Sequence, residues 1–163
     1  MNREELNGIM KQHKAWLEGK FGGERADLGG ADLHHARLQD ADLQGSILRG
    51  AILEDSELQG ADLRGALLQH SNLRGAGLRH CDLRGADLDY ASWPLWCGSL
   101  KAYVDDRIAI QLLYHTLSVV QHSPFVSEEV KKALLSAENA RIANRFHRVG
   151  ECGEIKEWEE GTK

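Results

Sequence analysis

The side chains able to do chemistry are sparse. Cys97, His115, His147 and Cys152 are of the types that hold zinc. A structural zinc module sets its ligands in close pairs, two Cys or two His a few residues apart. These four form no such pairs, so they read as two packed cysteines and two ordinary histidines, and no metal or cofactor is expected. The chain has no Gly-rich phosphate loop, no nucleophile elbow and no HExxH helix, the patterns that would place a nucleophile, a phosphate or a catalytic zinc. No catalytic residue is assigned, and the chain reads as something other than an enzyme. Three cysteines are an odd number without disulfide-framework spacing, which points to a reducing cytoplasm. No apolar run reaches membrane-spanning length and the opening MNREELNGIM has no signal-peptide pattern, so neither a membrane partner nor export is expected.

What chemistry remains is charge. The formal net charge is −5, and residues 26–90 alone carry six Arg, no Lys and eleven Asp or Glu. The flanking stretches are slightly basic and form no polybasic patch, so direct nucleic-acid binding is not expected. Asp42, Asp62 and Asp82 recur every twenty residues, with Arg64 and Arg84 two residues after the last two.

That spacing points to the element that must position them. Leu28, Leu33, Leu38, Leu43, Leu48, Leu53, Leu58, Leu63, Leu68, Leu73, Leu78, Leu83 and Leu88 recur every five residues without a gap. Two residues before each stands Ala, Ser or, once, Cys81. A period of five fits neither a helix nor a strand. One large and one small inward residue per pentad describe a flat-sided tube. Four pentads per coil would stack at ~4.8 Å per layer, and thirteen pentads give just over three coils. The leucines form the inner ladder, each worth roughly 1.5–3 kcal/mol when buried.

Pentads such as Ala31-Asp32-Leu33, Ala61-Asp62-Leu63-Arg64-Gly65 and Ala86-Asp87-Leu88 resemble the pentapeptide-repeat family. The resemblance implies a right-handed quadrilateral β-helix, and a bacterial or phage origin. It also implies that Asp42, Asp62 and Asp82 stack as an acidic ladder. Some relatives mimic duplex DNA and bind DNA gyrase, conferring quinolone resistance. Two readings of the ladder follow: mimicry of a phosphate row, or a solvated face partly neutralised by Arg64 and Arg84.

A second outer feature is Ile47 and Leu67, flanked by Ile52, in slots that elsewhere hold Asp or Asn. Apolar residues there either lie under the C-terminal helices or form a homodimer or partner interface. His34, His35, His70 and His80 occupy outward slots and read as solvated, while Cys81 reads as packing.

A solenoid needs its open ends covered. Asn2 and Glu5 form a capping-box pattern ahead of Leu6, Ile9, Met10, His13, Trp16 and Leu17, predicting a helix to about Lys20. Trp93 and Pro94 end the repeat. A helix starting at Asp105 or Asp106 follows, with Ala109, Leu112, Leu113, Leu117 and Val120 apolar. A second is expected after Ser127, carrying Val130, Leu134, Leu135, Ile142 and Phe146. The predicted organisation is a helical cap over 1–25, a β-solenoid over 26–95, a helical segment over 96–150 and a poorly ordered tail over 151–163. The expected role is a structural or protein-interaction module, dimeric through the C-terminal helices.

Overall fold

A computed structural model describes residues 1–93, 102–145 and 156. The chain divides into two compact units, Met1–Asp105 and Asp106–Lys163.

In the first unit the pentads from Leu28 to Leu73 repeat the same backbone hydrogen bonds. Taking Leu28 as the example, its N–H donates to Ile47 O at 2.8 Å, the Ile47 N–H donates to Ala26 O at 2.9 Å, and the Ala31 N–H closes a turn on Leu28 O at 3.1 Å. Parallel bridges join residues twenty apart, Asp27 to Ile47 to Leu67 to Asp87 on one side and Asp42 to Asp62 to Asp82 on another. A turn at every pentad and a partner at every fourth pentad make the coil four-sided. Each side is so short that the extended backbone occurs as isolated bridges, with no longer strand among the described residues.

All thirteen repeat leucines are buried, the most open being Leu88 at 5%. The small column is fully buried in the middle coils and half-buried at Ala31, Ala36 and Ala41 on the first.

The turn has a stereochemical requirement. Its third residue has positive φ in every pentad from 30 to 90, and six of these residues are not glycine: His35, Asp40, Asp55, His70, His80 and Tyr90. The left-handed region costs an L-residue roughly 1–2 kcal/mol, partly offset by the roughly 0.5–1 kcal/mol entropic cost of glycine. His80→Gly is therefore expected to raise stability by up to about 1 kcal/mol, read as a higher urea midpoint at unchanged slope.

Helix α1, Arg3–Leu17, opens on the Asn2–Glu5 capping box. It ends three residues earlier than expected because Gly19, at φ +64, closes a Schellman motif. The Gly19 N–H donates to Trp16 O at 3.0 Å and the Lys20 N–H to Ala15 O at 2.9 Å. The chain then returns along the helix. His13 is completely buried and its Nδ1 accepts the Ala26 N–H at 3.1 Å, which ties α1 to the first coil.

Beyond Trp93 the ladder resumes. The Tyr103 N–H donates to Cys81 O at 2.7 Å and Tyr103 O accepts from Leu83 at 2.8 Å, although strict register would place residue 102 there. Tyr103 therefore pairs along the edge of the last coil one residue out of register. Pro94 and Leu95 lie outside the described residues.

In the second unit α2, Asp106–His122, buries Ile108, Gln111, Tyr114, Leu117 and Val120. Of the five residues read as apolar on this helix, Leu117 and Val120 are buried, Leu112 and Leu113 are half-buried and Ala109 is exposed. The single second helix is in fact two, α3 (Glu128–Leu134) and α4 (Ala137–Ala143). Ser136 makes the break: its side chain accepts the Asn139 N–H as an N-cap. Tyr114, Leu117, Val120, Leu135, Ala140 and Ala143 form the core of this unit, while Val130 and Leu134 stay exposed at 43% and 37%. Phe146 lies outside the described residues.

Candidate interaction surface

The second residue of each pentad points outward, and its most frequent type has a structural task. In all seven cases where Asp or Asn stands there (27, 32, 42, 62, 72, 82 and 87), its Oδ1 accepts the N–H two residues on, at 3.0–3.3 Å. This Asx contact supports the corner of the turn. Ile47, Ile52 and Leu67 hold the same slot and have no oxygen to make it. Ile47 and Leu67 stack directly across one bridge, and Ile52 lies on the next side, between Asp32 and Asn72. Ile52 is 41% exposed, and Ile47 and Leu67 are half-buried.

The acidic ladder is present as a column but is not a bare row of charge. Arg64 forks onto Asp62, with Nη2 to Oδ2 at 2.6 Å, and its Nε lies 3.7 Å from Asp82. Arg84 forks onto Asp82 at 2.6 Å. Gln44 Nε2 donates to Asp62 at 2.9 Å, and the Gln44 N–H donates to Asp42. Partial burial pushes the Asp62 carboxyl up, yet hydrogen bonds from the Arg64 side chain and N–H, with the Arg64 charge, bring it below its ordinary value. The fork from Arg84 does the same for Asp82. Two of the three carboxylates are thus neutralised by cations of their own column.

The twenty-residue register, the paired inward residues and the corner at every fifth residue together define the architecture, and residues 24–55 and 56–92 match the pentapeptide repeats, with eight copies. Residues 24–92 belong to the pentapeptide-repeat family. Solved pentapeptide-repeat proteins similar to this chain include one from the Arabidopsis thaliana thylakoid lumen. It is 32% identical at a TM-score of 0.41, over 42% of this chain and 47% of that one. HetL from the cyanobacterium Nostoc, involved in heterocyst differentiation regulation, is 37% identical at 0.41, over 48% and 34%. QnrB1, a plasmid-mediated fluoroquinolone resistance protein, is 21% identical at 0.46, over 55% and 42%. The chain thus spans less than half the length of each. No curated protein sequence matches it.

The pentapeptide-repeat interior leaves Cys81 completely buried, and burial, with the negative charges of Asp82 and Asp62, pushes its thiol up to about 12. It therefore stays protonated and neither attacks nor ligates. His115 is exposed on α2 and lies edge-on to Tyr114 at 5.6 Å. Cys97, His147 and Cys152 lie outside the described residues. Of the outward histidines, His70 stacks on Tyr90, with ring centroids 4.9 Å apart. No helix among the described residues is long and apolar enough to cross a membrane.

Two exposed aromatics escaped the sequence reading. Phe21, in the turn after α1, and Phe125, before α3, are 108% and 95% exposed. The available signal was an aromatic set among turn formers, Lys20-Phe21-Gly22-Gly23 and Ser123-Pro124-Phe125.

The α1 contact carries a titration. Burial lowers the pKa of His13; Asp42 opposes this, Arg25 adds to it, and the hydrogen bond with the Gln44 backbone opposes it. With Nδ1 accepting from Ala26, the neutral ring carries its proton on Nε2. The folded state therefore holds His13 neutral at pH values where the unfolded chain binds a proton. Its contribution is complete above the unfolded imidazole range near 6.5 and is lost as pH falls from there toward the lower folded value. Urea midpoints are expected to drop between pH 7.5 and 5.5, and to drop less in His13→Gln, whose amide oxygen can still accept the Ala26 N–H.

Proposed function

We propose that this chain is a non-catalytic interaction module: a right-handed, four-sided solenoid that offers its Ile47, Leu67 and Ile52 face to a protein partner. One observation carries the reading. These three residues stand in the slot where, in seven other pentads, Asp or Asn supports the corner, and unlike Arg37, Glu57 and Gly77 in the remaining three they put large apolar side chains on the outer surface. Residues that do not serve the fold at an exposed position are candidates for binding. The leucine-filled interior supports the non-catalytic part, since it offers no pocket for a substrate.

Self-association through the C-terminal helices fits the second unit. Helix α3 buries none of its residues, and Val130 and Leu134, four apart, make one exposed apolar stripe near Phe125 in the sequence. Light scattering after size exclusion is the check: a dimer for the native chain and a monomer for Leu134→Glu.

The test of the binding face uses Leu67→Asn. Asparagine restores the missing corner bond to residue 69, so the variant is expected to fold at least as stably as the native protein. Quantitative capture from an extract of the source cells should retain a defined partner on the native chain and lose it on Leu67→Asn, with little salt dependence. Equal retention by both overturns the assignment of this face. The DNA-mimic reading requires an uncompensated acidic row, whereas Arg64 and Arg84 pair this one. Salt-sensitive inhibition of DNA gyrase supercoiling would favour mimicry over the apolar face.

A further inference from the structure

We propose that His34, His35 and Asp55 form a binding site for a divalent transition-metal ion of the zinc or copper(II) type. The sequence reading treats both histidines as solvated side chains and assigns no role to Asp55. Stacking of the coils brings them together: one ligand atom from each lies within 4.8 Å of the other two. Two imidazole nitrogens and a carboxylate oxygen are a donor set that suits zinc and copper(II) better than magnesium or calcium.

The backbone holds the three in place. His34 and His35 are the two corner residues of one turn, and Asp55 is the corner residue twenty positions on, one layer away. The His34 N–H is held by Asp32 Oδ1 at 3.1 Å, the His35 N–H by Glu54 O at 3.1 Å and the Asp55 N–H by Arg74 O at 2.8 Å. The side chains alone have to adjust to close on an ion, to the roughly 2.0–2.2 Å that zinc requires. The imidazole centroids are 3.8 Å apart and the rings are tilted by 47°.

Two further observations favour a ligand over a chance meeting. No other described group makes a hydrogen bond or ion pair with these three side chains. The neighbouring acid, Glu54, is turned away to accept from Asn72 at 2.9 Å. The column is also conformationally costly. His35 and Asp55 occupy consecutive layers at φ +55 and +54, the region that glycine fills at most other corners. Gly75, in the layer beyond, has no side chain, and a Cβ there would collide with Asp55 Oδ1. Asp40 stands over Gly60 in the same way, so what sets this corner apart is the pair of histidines in the adjoining layer, within reach of the Asp55 carboxylate. A cleft of about 330 Å³ between the start of α1 and this corner, lined in part by Arg3, Asn7, His34, His35 and Arg37, gives water or a small ligand access to the open coordination positions.

The test is calorimetric titration of zinc chloride into the full chain, without a histidine tag and stripped of metal beforehand. One equivalent should bind, and His35→Gly and Asp55→Asn should each weaken binding by about ten-fold or more. His35→Gly removes a ligand while supplying the residue this corner favours, so its circular dichroism and melting temperature should be retained or raised. His80→Gly makes the same change at a corner without the cluster and should leave zinc affinity unchanged. Copper(II) resonance spectra should show two imidazole nitrogens in the native protein and one in His35→Gly. Absence of zinc binding overturns the proposal. So does binding that survives both His35→Gly and Asp55→Asn, or binding that is abolished by Cys97→Ser or Cys152→Ser.

Discussion

Replacing Leu63 by alanine is expected to lower the stability of the solenoid by about 2.5–5 kcal/mol, read as a fall in urea midpoint. Leu63 is wholly buried in the second coil, and Leu43 and Leu83, its neighbours in the same column, are equally buried. A core site recovers part of the loss when its walls relax into the cavity. These walls are pinned on both edges: the Leu63 N–H donates to Asp82 O at 2.8 Å on one side, and the Leu43 N–H donates to Asp62 O at 2.8 Å on the other. Collapse would break a ladder whose buried polar groups have no water to turn to. Leu88→Ala is the comparison. Leu88 is 5% exposed and lies in the last coil, where fewer neighbours enclose it, so a smaller loss is expected. Losses that are equal and small at both sites would mean that the interior is not close-packed. A charge in place of the methyls, as in Leu68→Asp, should abolish folding, because the tube offers no partner for a carboxylate.

The inner ladder was legible because the tube allows only two inward slots per pentad and both are restrictive. A Leu or a small residue repeated without a gap has no other geometric meaning. The Asn2–Glu5 box was legible for a similar reason, since a capping box has a local signature. The misses share a cause: each depended on contacts that periodicity does not encode. The return of the chain at Tyr103 is one residue out of register, so a period of five hides it. Helix α2 is apolar around much of its surface, so the pattern gave no phase, and the burial of Gln111 and Tyr114 was invisible. Ser136 looks ordinary in sequence and becomes an N-cap only once Leu135 turns inward.

The outer surface was legible in part. The slots of Ile47, Ile52 and Leu67 stood out by type, but what Asp does in those slots was not apparent. Its bond to the N–H two residues on makes the acid a corner support first and a charge second. That reordering changes how Asp42, Asp62 and Asp82 are understood: their recurrence follows from the turn, and Arg64 and Arg84 cancel much of the field that the turn creates. The His34, His35 and Asp55 cluster needed both the twenty-residue stack and the positive φ of its corners, and neither can be read from residue types alone.

The junction between α1 and the first coil should be the other sensitive point, and Gly23→Ala tests it. The Gly23 N–H donates to Lys20 O at 3.1 Å and the Glu24 N–H donates to Gln12 O at 3.2 Å, so the chain crosses α1 in direct backbone contact. A Cβ on Gly23 would lie 2.5 Å from Ala15 C and 2.7 Å from Trp16 Cα, with the Trp16 nitrogen closer still. These are main-chain atoms of a hydrogen-bonded helix and cannot rotate aside. Either the junction shifts or α1 leaves the coil, at an expected cost of about 3 kcal/mol. The two responses differ in pH dependence. If α1 leaves, His13 is released to solvent, and the stability difference between pH 7.5 and 5.5 should shrink as it does in His13→Gln. If the junction only shifts, that difference should persist. Gly8→Ala supplies the contrast within the same helix: nothing lies within 4 Å of a Cβ there, and the change should stabilise by roughly 0.5–1 kcal/mol through helix propensity alone. Opposite signs at two glycines only fifteen residues apart would locate the constraint at the crossing and not in the helix.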